Sequence, residues 1–195
     1  MDDLTSYRLS DFILFSQTVY YRQFELYNQA IWPLHLVAIL STCVIIYALW
    51  KKPVWAGRVI TGLLVVSWCW VAWAFLYQRF YQIHVVANWY ALGFILQAGL
   101  IAWYGVIKNR LVFFAGNTLR AKLGSGLLFI IFILYPFIPF ITGRSWLQFE
   151  MFALAPDPTV FATLTILLIY KSPKLLYVIP IIWVFLSCMT VFVMQ

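Results

Sequence analysis

Apolar residues fill this chain in six long stretches separated by short polar junctions, and those stretches set the expected elements. A membrane span needs about 20 mostly apolar residues at 1.5 Å rise. The pattern predicts spans over Gln29–Trp50, Val54–Tyr77, Val85–Ile107, Gly124–Thr142, Asp157–Tyr170 and Leu175–Met194. The expected fold class is therefore all-α, a polytopic integral membrane bundle of six transmembrane helices forming one domain over residues 29–195. Ahead of it, Leu9, Phe12, Ile13, Val19, Tyr20, Phe24 and Tyr27 recur at helical spacing, with Ser10 or Asp11 available as a cap. Residues 1–28 are thus expected to form an interfacial amphipathic helix on the outer face, either an anchor that shields the bundle or a docking surface for a partner. They lack the basic start and small-residue cleavage site of a signal peptide.

Composition strengthens the membrane reading. With 65% hydrophobic and 10% charged residues, the chain lies far from soluble domains, which are about half apolar and a quarter charged. Charge then orients it. Lys51, Lys52, Arg58, Lys108, Arg110, Arg120, Lys122, Lys171 and Lys174 fall in the junctions after spans one, three and five, whereas Arg8, Arg22, Arg79 and Arg144 fall on the opposite side with Asp2, Asp3, Asp11, Glu25, Glu150 and Asp157. The positive-inside rule makes the three cationic junctions cytoplasmic and places both termini outside. The expected location is the cytoplasmic (inner) membrane. The net charge of +7 meets anionic lipid from short turns and does not imply nucleic-acid binding.

The sequence excludes several chemistries. It has no glycine-rich phosphate loop, HExxH or GxSxG motif, and no CxxC pair among Cys43, Cys69 and Cys188. No cofactor and no metal site are predicted. The segment Lys108–Leu123 is expected to form a short amphipathic turn on the inner face. Ionisable groups in a bilayer are costly, so they are the functional candidates. Asp157 opens a span of only about 21 Å, and Asp157-Pro158-Thr159 also suits a helix start with Asp as N-cap. If the carboxylate is submerged instead, it lines an outer cavity, with Phe149–Pro156 re-entrant before it. His35, about 9 Å into the first span, could share that depth, or hydrogen-bond a neighbouring helix. His84 and Asn88 share one face near the outer end of the third span, and Gln97 lies at mid-span, as interhelical glue or as a constriction. Ala87, Ala91, Ala98, Ala102 and Gly105 form a small-residue stripe that marks the third span as a central packing helix. Tyr135-Pro136 and Pro139 predict a kink in the fourth span. Tryptophans near span ends fit interfacial anchoring.

Several short motifs carry a resemblance in their order and spacing. They are Tyr27-Asn28-x-Ala30-Ile31-Trp32-Pro33, Trp68-Cys69-Trp70, Phe94-x-x-Gln97-x-Gly99, Pro158-Thr159 followed by Phe161-x-Thr163-Leu164, and Ile179-Pro180-x-x-Trp183. From about Phe24 to the C-terminus the chain resembles the bacterial DUF6064 family. That resemblance implies a six-span protein of uncharacterised function, sometimes labelled permease-like. The family pattern has Cys between the two prolines where this chain has Asp157, so a role tied to that thiol does not transfer.

Two functions remain in view. One is a small-solute or ion permeation component, as a homo-oligomer, with an outer-facing polar cavity of His35, His84, Asn88, Glu150 and Asp157 and a constriction near Gln97. The other is a non-catalytic accessory subunit of a larger membrane complex. Catalysis is not expected, because Glu150 and Asp157 have no nucleophile, metal cluster or cofactor motif beside them.

Overall fold

The computed structural model describes residues 16–110, 112–113 and 119–194. Its first helix, α1 (Gln17–Ala30), starts at Ser16, whose hydroxyl accepts the Val19 amide at 3.3 Å and so satisfies one orphan donor of the first turn. The expected helix over residues 1–15, with Ser10 or Asp11 as its cap, lies outside the described residues. The described part packs one face on the bundle. Tyr20, Phe24, Tyr27 and Asn28 are buried, and Phe24 and Tyr27 pack against Phe75. Spacings of three and four residues gather these side chains into one stripe, and the bundle covers it.

The Trp32–Pro33 peptide is cis, and α2 (Leu34–Lys51) begins after it. Proline lacks the N–H that a continuous helix would need, so the first span starts at Leu34 and not at Gln29. His35 consequently sits in the first turn of α2. α3 (Ala56–Trp70) continues through a π-helical stretch, Val71–Tyr77, and a 3₁₀ turn, Phe80–Gln82. α4 (Ala87–Ile101) continues the same way through Ala102–Ile107. α5 (Leu119–Phe129) passes through a π stretch, Ile130–Leu134, and a 3₁₀ turn, Tyr135–Phe137, into α6 (Ile138–Ile141). Pro136 and Pro139 withhold amides there, which breaks the regular ladder where a kink is expected. α7 (Pro156–Ile169) and α8 (Val178–Val193) complete the bundle.

Among the described residues five helical stretches are long and apolar enough to cross a membrane: Leu34–Lys51, Ala56–Gln82, Ala87–Ile107, Lys122–Ile141 and Lys174–Val193. The sixth expected span corresponds to α7, whose 14 residues reach only about 21 Å. α7 also takes the central place expected of α4. Its Thr159, Val160, Ala162, Thr163 and Ile166 are wholly buried, with α3, α5 and α8 packed around them. α4 lies along α3. Ala87, Ala91 and Ala98 are buried and Ala102 is half-buried, and a Cβ added to Gly105 would come within 2.8 Å of Thr61 Oγ1.

Among the described residues the fold is all-helical apart from one two-residue ladder. β1 (Val112–Phe113) pairs antiparallel with β2 (Tyr170–Lys171), Val112 opposite Lys171 and Phe113 opposite Tyr170. The segment expected to be a simple turn thus contributes a strand. The ladder joins the connections that follow α4 and α7, which carry Lys108 and Arg110 in the first and Lys171 and Lys174 in the second.

Candidate functional site

At the other end of the bundle the chain between α6 and α7 folds over a cavity of about 590 Å³. Gly143, at φ +68°, adopts the left-handed turn that glycine accommodates without a Cβ penalty and delivers Arg144 to the cavity wall. The guanidinium lies 3.9 Å from the Tyr21 ring centroid, its Nε donates to Thr142 Oγ1 at 2.9 Å, and its Nη1 stands 3.7 Å from Glu150 Oε1. That last gap exceeds hydrogen-bond length. Glu150 is 7% exposed, and Arg144 Nη1 is left buried without a hydrogen-bond partner. Burial, with Asp157 nearby, outweighs the attraction of Arg144 and pushes the Glu150 carboxyl up to about 8.

Asp157 completes the wall from the first turn of α7. It does not cap the helix. Ala155 is the N-cap and supplies no side-chain bond, whereas Asp157 turns toward α8. There Oδ1 accepts the Trp183 indole N–H at 2.7 Å and Oδ2 accepts the Ser187 hydroxyl at 2.8 Å. Trp183 and Ser187 are four apart on one helix face, as two donors to one carboxylate require. Trp183 is itself fixed edge-on against Tyr90 and Phe94. Tyr20, Tyr21 and Tyr135 line the rest of the cavity.

The segment between α6 and α7 holds its shape through side chains from other elements. Asn28 Nδ2 donates to the Leu147 and Phe149 carbonyls, both at 2.8 Å. Trp70 Nε1 donates to Tyr27 Oη at 2.8 Å, and Tyr27 donates in turn to the Leu154 carbonyl at 3.0 Å. Thr159 Oγ1 accepts the amide of Ala153 and donates to the Ala155 carbonyl. Irregular backbone inside an apolar bundle requires such partners. Trp68 donates to Thr163 Oγ1 at 2.8 Å and rests on Phe94, which ties α3 to α7 and α4.

The six expected cavity residues do not all meet. Glu150 and Asp157 line the cavity; His35, His84, Asn88 and Gln97 do not. Phe149 is extended, so its side chain and that of Glu150 point to opposite sides. Phe149 faces His35 at 5.2 Å between ring centroids, on the wall of a separate apolar cavity of about 380 Å³. His35 Nε2 lies 3.3 Å from Asn28 Oδ1. His84 pairs with the Tyr90 hydroxyl at 3.4 Å, and burial lowers its pKa. Asn88 is exposed. Gln97 is wholly buried and donates to the Leu176 carbonyl at 2.8 Å, joining α4 to the turn before α8. Arg144, Trp183, Ser187 and the three tyrosines were missing from the expected site. Spacing alone gave a signal for only one pair, Trp183 and Ser187.

The family match covers residues 17–195. The chain belongs to DUF6064, a family of unknown function. No curated protein and no solved structure matches it. The motifs behind the DUF6064 resemblance supply much of this buried framework: Tyr27, Asn28, Trp68, Phe94, Gln97, Thr159, Thr163 and Trp183 all take part in the contacts above. Among the described residues no group of three or more His, Cys, Asp or Glu residues is placed to hold a metal ion.

Proposed function

We propose that this DUF6064 protein is a multi-pass protein of the cytoplasmic membrane, with the acid-lined cavity facing outward, and that it takes a small polar solute or ion into that cavity for passage across the bilayer. The observation that carries this reading is the cavity itself, whose volume lies in the range of small-molecule sites, about 300 to 1,000 Å³, and whose walls bear Arg144, Glu150 and Asp157. The Lys and Arg bias of the opposite junctions supports the orientation. Purified protein in proteoliposomes should show saturable uptake of members of a panel of labelled amines, amino acids and monovalent cations. Asp157→Asn should reduce that uptake at least tenfold while the protein remains folded. Equal uptake by the variant, or no uptake of any panel member, defeats the proposal.

One feature favours the accessory-subunit reading as a second choice. α2 packs chiefly on α3 and exposes Leu36, Val37, Ile39 and Leu40 together, a broad apolar face for another membrane helix. Stable co-purification with a second membrane protein, lost on introducing polar residues on that face, would support it.

A further inference from the structure

We infer that the apolar cavity beside His35 binds a lipid-soluble phenol, such as a hydroquinone-type ring, whose hydroxyl donates to the unprotonated Nδ1 of His35. This site is separate from the acid-lined chamber and stands whether or not that chamber carries a solute. The cavity lies between the start of α2 and the connection from α6 to α7. Its volume of about 380 Å³ falls in the range of small-molecule sites, about 300 to 1,000 Å³. Trp32, Trp146 and Phe149 give it aromatic walls, and Ile39, Leu147 and Met151 add apolar ones. Trp32, Ile39 and Trp146 are themselves exposed. The mouth therefore opens on the outside of the bundle, which in the orientation proposed above is the outer leaflet.

The hydrogen bonds around Asn28 decide which nitrogen of His35 carries the proton. Both amide hydrogens of Asn28 are spent, Nδ2 donating to the Leu147 and Phe149 carbonyls. Its Oδ1 is therefore an acceptor, and the 3.3 Å contact with His35 Nε2 requires Nε2 to donate. In the neutral ring that leaves Nδ1 without a proton, as an acceptor. No acid lines the cavity to hold an imidazolium. His35 is 6% exposed, and its Nδ1 is buried with no hydrogen-bond partner among the described residues. An unpaired buried acceptor is costly, so the fitting occupant brings it one donor. Water fits poorly, because a buried water takes about three polar partners, and Nδ1 is the one unpaired buried side-chain atom among the described lining residues. A flat ring with a hydroxyl matches both features. Its faces stack on rings such as Trp32 and Phe149, which flank the imidazole at 6.0 and 5.2 Å between centroids, and its O–H meets Nδ1. A carbonyl compound or a carboxylate lacks the proton that Nδ1 requires.

Equilibrium dialysis of radiolabelled 4-butylphenol and its methyl ether, 4-butylanisole, against the full protein in nanodiscs tests this, with empty nanodiscs correcting for partition into lipid. The phenol should bind saturably and roughly tenfold more tightly than the ether, which fills the same space without a donor. His35→Gln keeps an amide N–H toward Asn28 and removes Nδ1. It should bring the phenol down to the affinity of the ether and leave the ether unchanged. Nitrogen-15 NMR of the histidine-labelled wild type needs no substitution, since His35 and His84 are the two histidines of the chain. His35 Nδ1 should resonate as an unprotonated nitrogen in the free protein, move upfield when the phenol is added, and stay in place with the ether. Equal binding of phenol and ether, a proton already on Nδ1, or a response at His84 alone overturns the inference. Where His35→Gln weakens both probes, the wild-type signal decides: movement of Nδ1 upholds the site and constancy overturns it.

Discussion

Glu150 shows how one buried side chain links the chamber to stability. Its carboxyl rises from 4.5 to about 8 in the folded protein, so between those values the native state binds more protons at this site than the unfolded chain. The stability it contributes is therefore present in full below about pH 4.5 and is lost as pH rises to about 8. Glu150→Gln, which cannot ionise, should melt several degrees higher than the wild type at pH 8.5 and about the same at pH 5; a 1 kcal/mol change shifts the midpoint by about 2 to 4 °C at this size. A wild-type midpoint that does not fall relative to the variant across that range would show that Glu150 is not buried as described. Asp157 stood out in sequence because its helix was too short for its depth, but its partners could not be read. Asp-Pro-Thr is also the signature of a capped helix start, and only the packing of α8 decides that Trp183 and Ser187 receive the carboxylate instead.

At the scale of elements, the small-residue stripe on α4 was legible because close helix approach needs small side chains at a helical period. Gly105 is its tightest point, since a Cβ there collides with Thr61 on α3. Gly105→Ala should destabilise the α3–α4 pair by about 1 to 3 kcal/mol, the usual cost of overpacking, as read by thermal melting in detergent. Thr61→Gly in the same protein should recover part of the loss; no recovery would place the clash elsewhere. The start of the first span was less legible. Gln29–Pro33 is apolar enough to extend α2 by pattern alone, yet Pro33 interrupts the chain and α1 continues to Ala30. α1 reads as interfacial because its apolar residues recur at helical spacing along one stripe. The polar members, Gln23 and Asn28, are buried along with the aromatic ones, and Asn28 supports carbonyls some 120 residues away in sequence. Such long-range satisfaction has no local pattern to betray it.

For the whole molecule, hydropathy located, to within about five residues of their ends, the five helical stretches that are long and apolar enough to cross a membrane, because apolar length is a local property. α7 departs for a global reason. A helix surrounded by others need not match the bilayer, so its ends can be met by irregular backbone if protein groups satisfy it, as Asn28, Tyr27 and Thr159 do. The arrangement also makes the orientation testable at both ends of α7. In a background with Cys43, Cys69 and Cys188 replaced by alanine, a cysteine at exposed Ser145 should react with a membrane-impermeant maleimide in intact spheroplasts. One at exposed Lys171 should react only after permeabilisation. Cysteine at the cavity position Thr18 should label from the same side as Ser145. Labelling of Lys171 in intact spheroplasts would invert the topology, turn the acid-lined chamber toward the cytoplasm and convert uptake into export; labelling of all three positions would remove the membrane barrier between them and with it the permeation reading.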